Sequence, residues 1–122
     1  EAHQRMGELA RVRRDHDQAA SSFGVLVMLD PQNTAYRHQH AMALFKAGRP
    51  KDAISVYESI LTVSENDLES LVRLGSLYAA LSKAEPDARE RHLAKARGYV
   101  KRAIEINPEN EAVKEMLVRL ED

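Results

Sequence analysis

The sequence has no cysteine and no tryptophan, 5 glycines and 4 prolines among 122 residues, and aromatic side chains at only 5% of positions. Without cysteine the chain has neither disulfides nor thiolate metal sites, and its redox compartment is left open. With so few aromatics and 43% hydrophobic residues, its core has to be built from Leu, Ile, Val and Ala. An excess of one charge is also missing. The 18 Lys and Arg stand against 19 Asp and Glu, a formal net charge of -1, which removes any general electrostatic pull toward nucleic acid or an anionic membrane. No apolar run approaches the roughly 20 residues that cross a bilayer as a helix, and no basic leader precedes an apolar block. The expectation is a soluble module with one domain over residues 1–122, its localisation left open with the cytoplasm slightly favoured.

What is present is helical periodicity. In the stretch from Thr34 to Asp67, Ala41, Leu44 and Phe45 fall three and four residues apart, and so do Ala53, Ile54, Tyr57, Ile60 and Leu61. That spacing places each set on one helical face and leaves no strand-like alternation. Between the two sets stands Gly48-Arg49-Pro50. Glycine suits the left-handed end of one helix, and proline suits the first turn of the next. The stretch therefore predicts two antiparallel helices joined by a sharp turn, Ala35 to Lys46 and Lys51 to Val63.

The same order recurs at an offset of 34 residues. Met6, Gly7, Ala10, Ala19, Phe23 and Leu26 precede His40, Ala41, Leu44, Ala53, Tyr57 and Ile60 by that distance. Leu74, Gly75 and Tyr78 continue the pattern, but Ala96, Val100 and Ala103 follow only after nine extra residues between 78 and 96. Pro86 and the good helix formers after it predict that the insertion lengthens the second helix of this copy backward, together with its turn, with a solvated outer face over 83–95. Asp30-Pro31-Gln32-Asn33 and Asn107-Pro108-Glu109-Asn110 repeat at the ends of copies, with Ser64-Glu65-Asn66-Asp67 in the middle, so Asn33, Asp67 and Asn110 are candidate helix caps. Glu111 to Leu120 reads as a last helix, with Val113, Leu117 and Leu120 inward and Lys114, Glu115 and Arg119 outward.

A 34-residue period with this order of large, small, aromatic, Ala and Pro positions resembles the tetratricopeptide repeat family. The resemblance covers nearly the whole chain, with repeats over about 1–33, 34–67 and 68–110 and a capping helix over 111–120. Its Trp position is taken by His3, Arg37 and Leu71, and its last Pro is Glu65 in the middle copy. The resemblance implies an all-α, right-handed superhelical array of antiparallel helix pairs, about seven helices in all. It also implies a non-enzymatic module that binds a peptide or helical segment of a partner in a concave groove. The groove positions would be Gln4, Glu8 and Arg11, then His38, Met42, Phe45 and Lys46, then Val72, Arg73, Ser76 and Ala79. A subgroup of the family grips acidic chaperone tails with a carboxylate clamp. Here the clamp positions hold Gln4, Glu8, Gln39, Glu69 and Arg73, and two carboxylates among them would repel such a tail.

Other chemistries find little support. His38 and His40 lie about 200° apart on a helix and do not share a metal, and no His, Cys and carboxylate set recurs at ligand spacing. His40 is expected inward and His38 outward. Arg11, Arg13 and Arg14 are followed by Asp15 and Asp17 with no interleaved aromatics, which argues against nucleic-acid binding. The five glycines are isolated and the serines are scattered, so neither a phosphate loop nor a nucleophile elbow is present. No cofactor or enzymatic activity is expected. The alternative to groove binding is self-association, as a homodimer through the N-terminal end at His3, Met6 and Ala10, in a structural scaffold.

Overall fold

Three short polar side chains begin three of the helices. Asn33 Oδ1 accepts the Tyr36 N–H at 3.1 Å, an Asp67 carboxylate oxygen accepts the Ser70 N–H at 3.1 Å, and Asn110 Oδ1 accepts the Val113 N–H at 3.3 Å. Each supplies a partner to a donor that a first helical turn leaves unpaired. The computed structural model describes residues 2–121, with side chains over 12–121. Among the described residues it contains six α-helices and no strand: α1 (Ala2–Leu29), α2 (Thr34–Lys46), α3 (Pro50–Val63), α4 (Leu68–Ala84), α5 (Arg89–Ile106) and α6 (Glu111–Glu121), with a 3-10 turn at Pro86–Ala88. The helices form two compact units, Glu1–Val63 and Ser64–Asp122. In the first, α1 packs on α2 and α2 on α3; in the second, α4 packs on α5 and α5 on α6.

In the first unit the α2–α3 hairpin follows the turn chemistry. Gly48 has φ of 80°, its N–H donates to the Phe45 carbonyl at 3.0 Å, and the Arg49 N–H donates to the Leu44 carbonyl at 2.9 Å. This is a Schellman ending, in which the left-handed residue is glycine because any Cβ there meets its own backbone. The position where tryptophan is usual in the repeat holds Arg37, which replaces apolar packing with two hydrogen bonds: Nε donates to the Pro31 carbonyl at 2.9 Å and Nη1 to Ser59 Oγ at 2.8 Å.

The expectation of seven helices is corrected to six, because the first copy is not a hairpin. At the 34-residue offset, Arg14 stands where Gly48 ends α2 and His16 where Pro50 begins α3. Residues 13–18 contain neither glycine nor proline, so nothing stops the helix, and α1 runs 28 residues without a break. Burial reports the consequence. Ala53, Tyr57 and Ile60, and their counterparts Ala96, Val100 and Ala103, are fully buried, whereas Ala19, Phe23 and Leu26 are only half-buried.

In the second unit the insertion is taken up by both helices. α4 has 17 residues against 13 in α2, and α5 has 18 against 14 in α3. The sequence reading lengthened only the second helix and the turn; α4 also gains a turn because Ala79 to Ala84 contains no helix breaker before Glu85-Pro86. Leu71, Leu74, Leu77 and Leu81 line the buried side of α4. α6 adds Val113 and Leu120 to this core, and Arg97 Nε fastens its end by donating to the Leu120 carbonyl at 2.9 Å. Lys114, Glu115 and Arg119 are exposed.

Candidate partner-binding surfaces

The α2 surface follows from one helix carrying two different faces. Ala41, Ala43 and Leu44 are buried, while Phe45 is 48% exposed, Lys46 is exposed and Met42 is half-buried. Spacings of three and four residues bring His38, Met42 and Phe45 onto one stripe, with Lys46 beside them. His38 is half-buried and turned toward α3, its ring meeting Tyr57 edge-on at 6.0 Å between centroids. The apolar exposed area on this stripe is therefore concentrated at Phe45 and Met42.

α4 carries the other described set in the second unit. Arg73 and Ser76 are exposed, Val72 and Ala79 half-buried. Ser76 and Ala79 also border a cavity of about 800 Å³. Gln39 and Glu69 stand exposed beside these stripes. The side chains of Gln4, Glu8 and Arg11, together with His3, Met6 and Ala10, lie outside the described residues.

Two histidines acquire environments of their own. His40 sits half-buried on the α1-facing side of α2, close enough to Gly24 that a Cβ there would lie 3.4 Å from its Nε2. Burial lowers its pKa below the ordinary 6.5, the Arg49 guanidinium lowers it further, and Asp52 opposes them. The folded state therefore resists a proton that the unfolded chain accepts. This contribution is intact above about pH 6.5 and is lost as pH falls through the depressed folded value. The first unit is expected to be less stable near pH 5 than near pH 7.5 on this account, and His40→Gln should flatten that part of the profile in urea titrations at the two pH values.

His92, read from the sequence as part of a solvated face, is instead buried. Its Nε2 lies 2.8 Å from Glu85 Oε1, and its ring is 5.9 Å from that of Tyr78, which stacks in turn on Tyr99. The remaining signals that sequence reasoning missed are apolar: Val25, Met28 and Leu29 at the end of α1 are all exposed, and their spacing of three and four was visible in the sequence.

A model of the Tetratricopeptide Repeats-Sensor (TPR-S) family matches residues 13–110. The chain belongs to that family. No curated protein matches it. The TPR-S match begins inside α1, at the stretch where the helix passes the expected turn, and ends at the residue before α6. Membership in a tetratricopeptide family marks a non-catalytic interaction or scaffold module. Among the described residues, no group of three or more His, Cys, Asp or Glu is placed to hold a metal ion, and no helix is long and apolar enough to cross a membrane.

Proposed function

We propose that the chain binds a peptide or helical segment of a partner protein. Repeats over about 1–33, 34–67 and 68–110 and a cap over 111–120 would form the body, and the α2 stripe of His38, Met42, Phe45 and Lys46 would be the principal contact. Val72, Arg73, Ser76 and Ala79 on α4 and Gln4, Glu8 and Arg11 on α1 would be further contacts. The observation that carries this reading is Phe45: a phenylalanine nearly half exposed beside Met42, on a helix whose opposite face is buried. Aromatic and methionine side chains of this kind anchor recognition because a partner can desolvate them at small ordering cost. Glu8 and Glu69 turn the preference away from acidic tails of the clamp type.

Phe45→Glu is expected to weaken partner binding by about 2 kcal/mol or more, the scale of an interface hot spot, with helicity and mass unchanged. Met42→Glu should act in the same direction. Isothermal titration of the isolated partner segment into each variant measures this, and undiminished binding by both would remove α2 as the contact.

A second reading, self-association, is favoured by the half-buried face of Ala19, Phe23 and Leu26 on α1. In the α2–α3 hairpin the corresponding residues are covered by a helix that has the same small-and-large order as residues 6–10. A second copy's N-terminal segment would supply that cover in trans. Sedimentation would then give a doubled mass, and Met6→Glu a monomer; a wild-type monomer at high concentration would exclude it.

A further inference from the structure

The second unit holds a concavity whose lining has a charge pattern that helix formation alone does not explain. Its volume is about 800 Å³, within the range of roughly 300–1,000 Å³ typical of small-ligand sites. It exists because the inserted residues carry α4 and the start of α5 past their usual length, and α6 closes one side. Leu93 and Leu120, both buried, and half-buried Met116 give it an apolar floor. Three cations border it, Lys83 from α4, Arg89 from α5 and Arg119 from α6, and no carboxylate is among the lining residues.

Two of these cations have a local explanation. Lys83 and Arg119 lie in the last turns of α4 and α6, where positive charge complements the helix dipole. Arg89 does not: it opens α5, at the end where the dipole is already positive, and the N-cap residue Ala88 offers no side-chain acceptor. Asp87 and Glu90 flank it in sequence, but neither lines the cavity. Glu115 lies 3.8 Å from Arg119 across an exposed pair, which is too weakly held to neutralise it, and Glu85, between Lys83 and Arg89 in sequence, is engaged by His92. The cavity thus combines an apolar floor with three exposed cationic residues at its border, one from each of three helices.

We propose that this cavity binds a small amphipathic organic anion. An apolar ring or chain would rest on Leu93, Met116 and Leu120, and a phosphate, sulfonate or carboxylate would be held by Lys83, Arg89 and Arg119. The proposal is independent of the α2 surface and shares only Ser76 and Ala79 with the proposed α4 contacts.

The test uses the full chain and two fluorescent probes of similar body, anilinonaphthalene sulfonate and uncharged phenylnaphthylamine. The sulfonate is expected to bind saturably at one site and more tightly than the neutral probe, with the preference shrinking as salt is raised. The triple variant Lys83→Gln, Arg89→Gln, Arg119→Gln should weaken the sulfonate by about tenfold or more and leave the neutral probe nearly unchanged, with the circular dichroism spectrum preserved. If the triple variant loses helicity, each single variant is expected to give a smaller loss confined to the sulfonate. Ser55→Gln, on the exposed side of α3, should leave both probes unaffected. Equal sulfonate affinity in wild type and all variants overturns the proposal, as does displacement of the probe by an acidic peptide at lower concentration than by small aromatic phosphates.

Discussion

Tyr57→Ala is expected to lower the stability of the first unit by about 3–5 kcal/mol, the cost of truncating a fully buried aromatic side chain. Tyr57 is 1% exposed and projects from α3 between the hairpin helices, where its ring meets the His38 ring edge-on. Around it the buried positions include Ala41 and Ala53, which have no spare atoms to move into a vacated space. The void would persist, and its lining would lose dispersion contacts as well as the apolar burial. Against the roughly 5–15 kcal/mol typical of a whole domain, this is a large fraction. Urea denaturation followed by circular dichroism measures it; a loss below about 1 kcal/mol would mean that the hairpin collapses around the site or does not depend on it.

Gly75→Ala is expected to destabilise the second unit even though alanine is the better helix former by about 1 kcal/mol. A Cβ built at Gly75 falls 2.6 Å from Val100 Cγ2 and 3.4 Å from Met116 Cε. Val100 is fully buried and β-branched, so its methyl cannot swing away as the end of a long side chain would. Relief requires α4 and α5 to separate, an overpacking cost of about 1–3 kcal/mol. Val100→Ala alone should destabilise by removing buried methyl groups, yet Gly75→Ala with Val100→Ala should be more stable than the sum of the single losses. Simple additivity in a double-mutant cycle would show that the close approach does not limit packing here.

These positions also show what was legible in the sequence. The ends of α2, α3, α4 and α6 were readable because each carries its own chemistry: the Asn33, Asp67 and Asn110 caps, the Gly48 turn and the Pro50 start. Gly75 and Ala96 were readable as continuing the repeat order, and the close approach at Gly75 emerges only when α4 packs on α5. α1 was not readable, since its apolar register copies a hairpin while residues 13–18 omit the turn that a hairpin needs. His92 escaped because its partner Glu85 comes from the preceding turn, seven residues away. Lys83, Arg89 and Arg119 converge only after α4, α5 and α6 pack.

The α2 stripe is the proposed contact for a partner segment. Site-specific photo-crosslinking tests it directly, with the crosslinker placed in separate full-length chains at Phe45 on the stripe and at Ser55, which is exposed on α3. The expected result is a defined adduct with the partner segment from position 45, abolished by Met42→Glu, and none from position 55. An adduct formed from position 55 but not from 45, or one from 45 that survives Met42→Glu undiminished, would contradict the assignment.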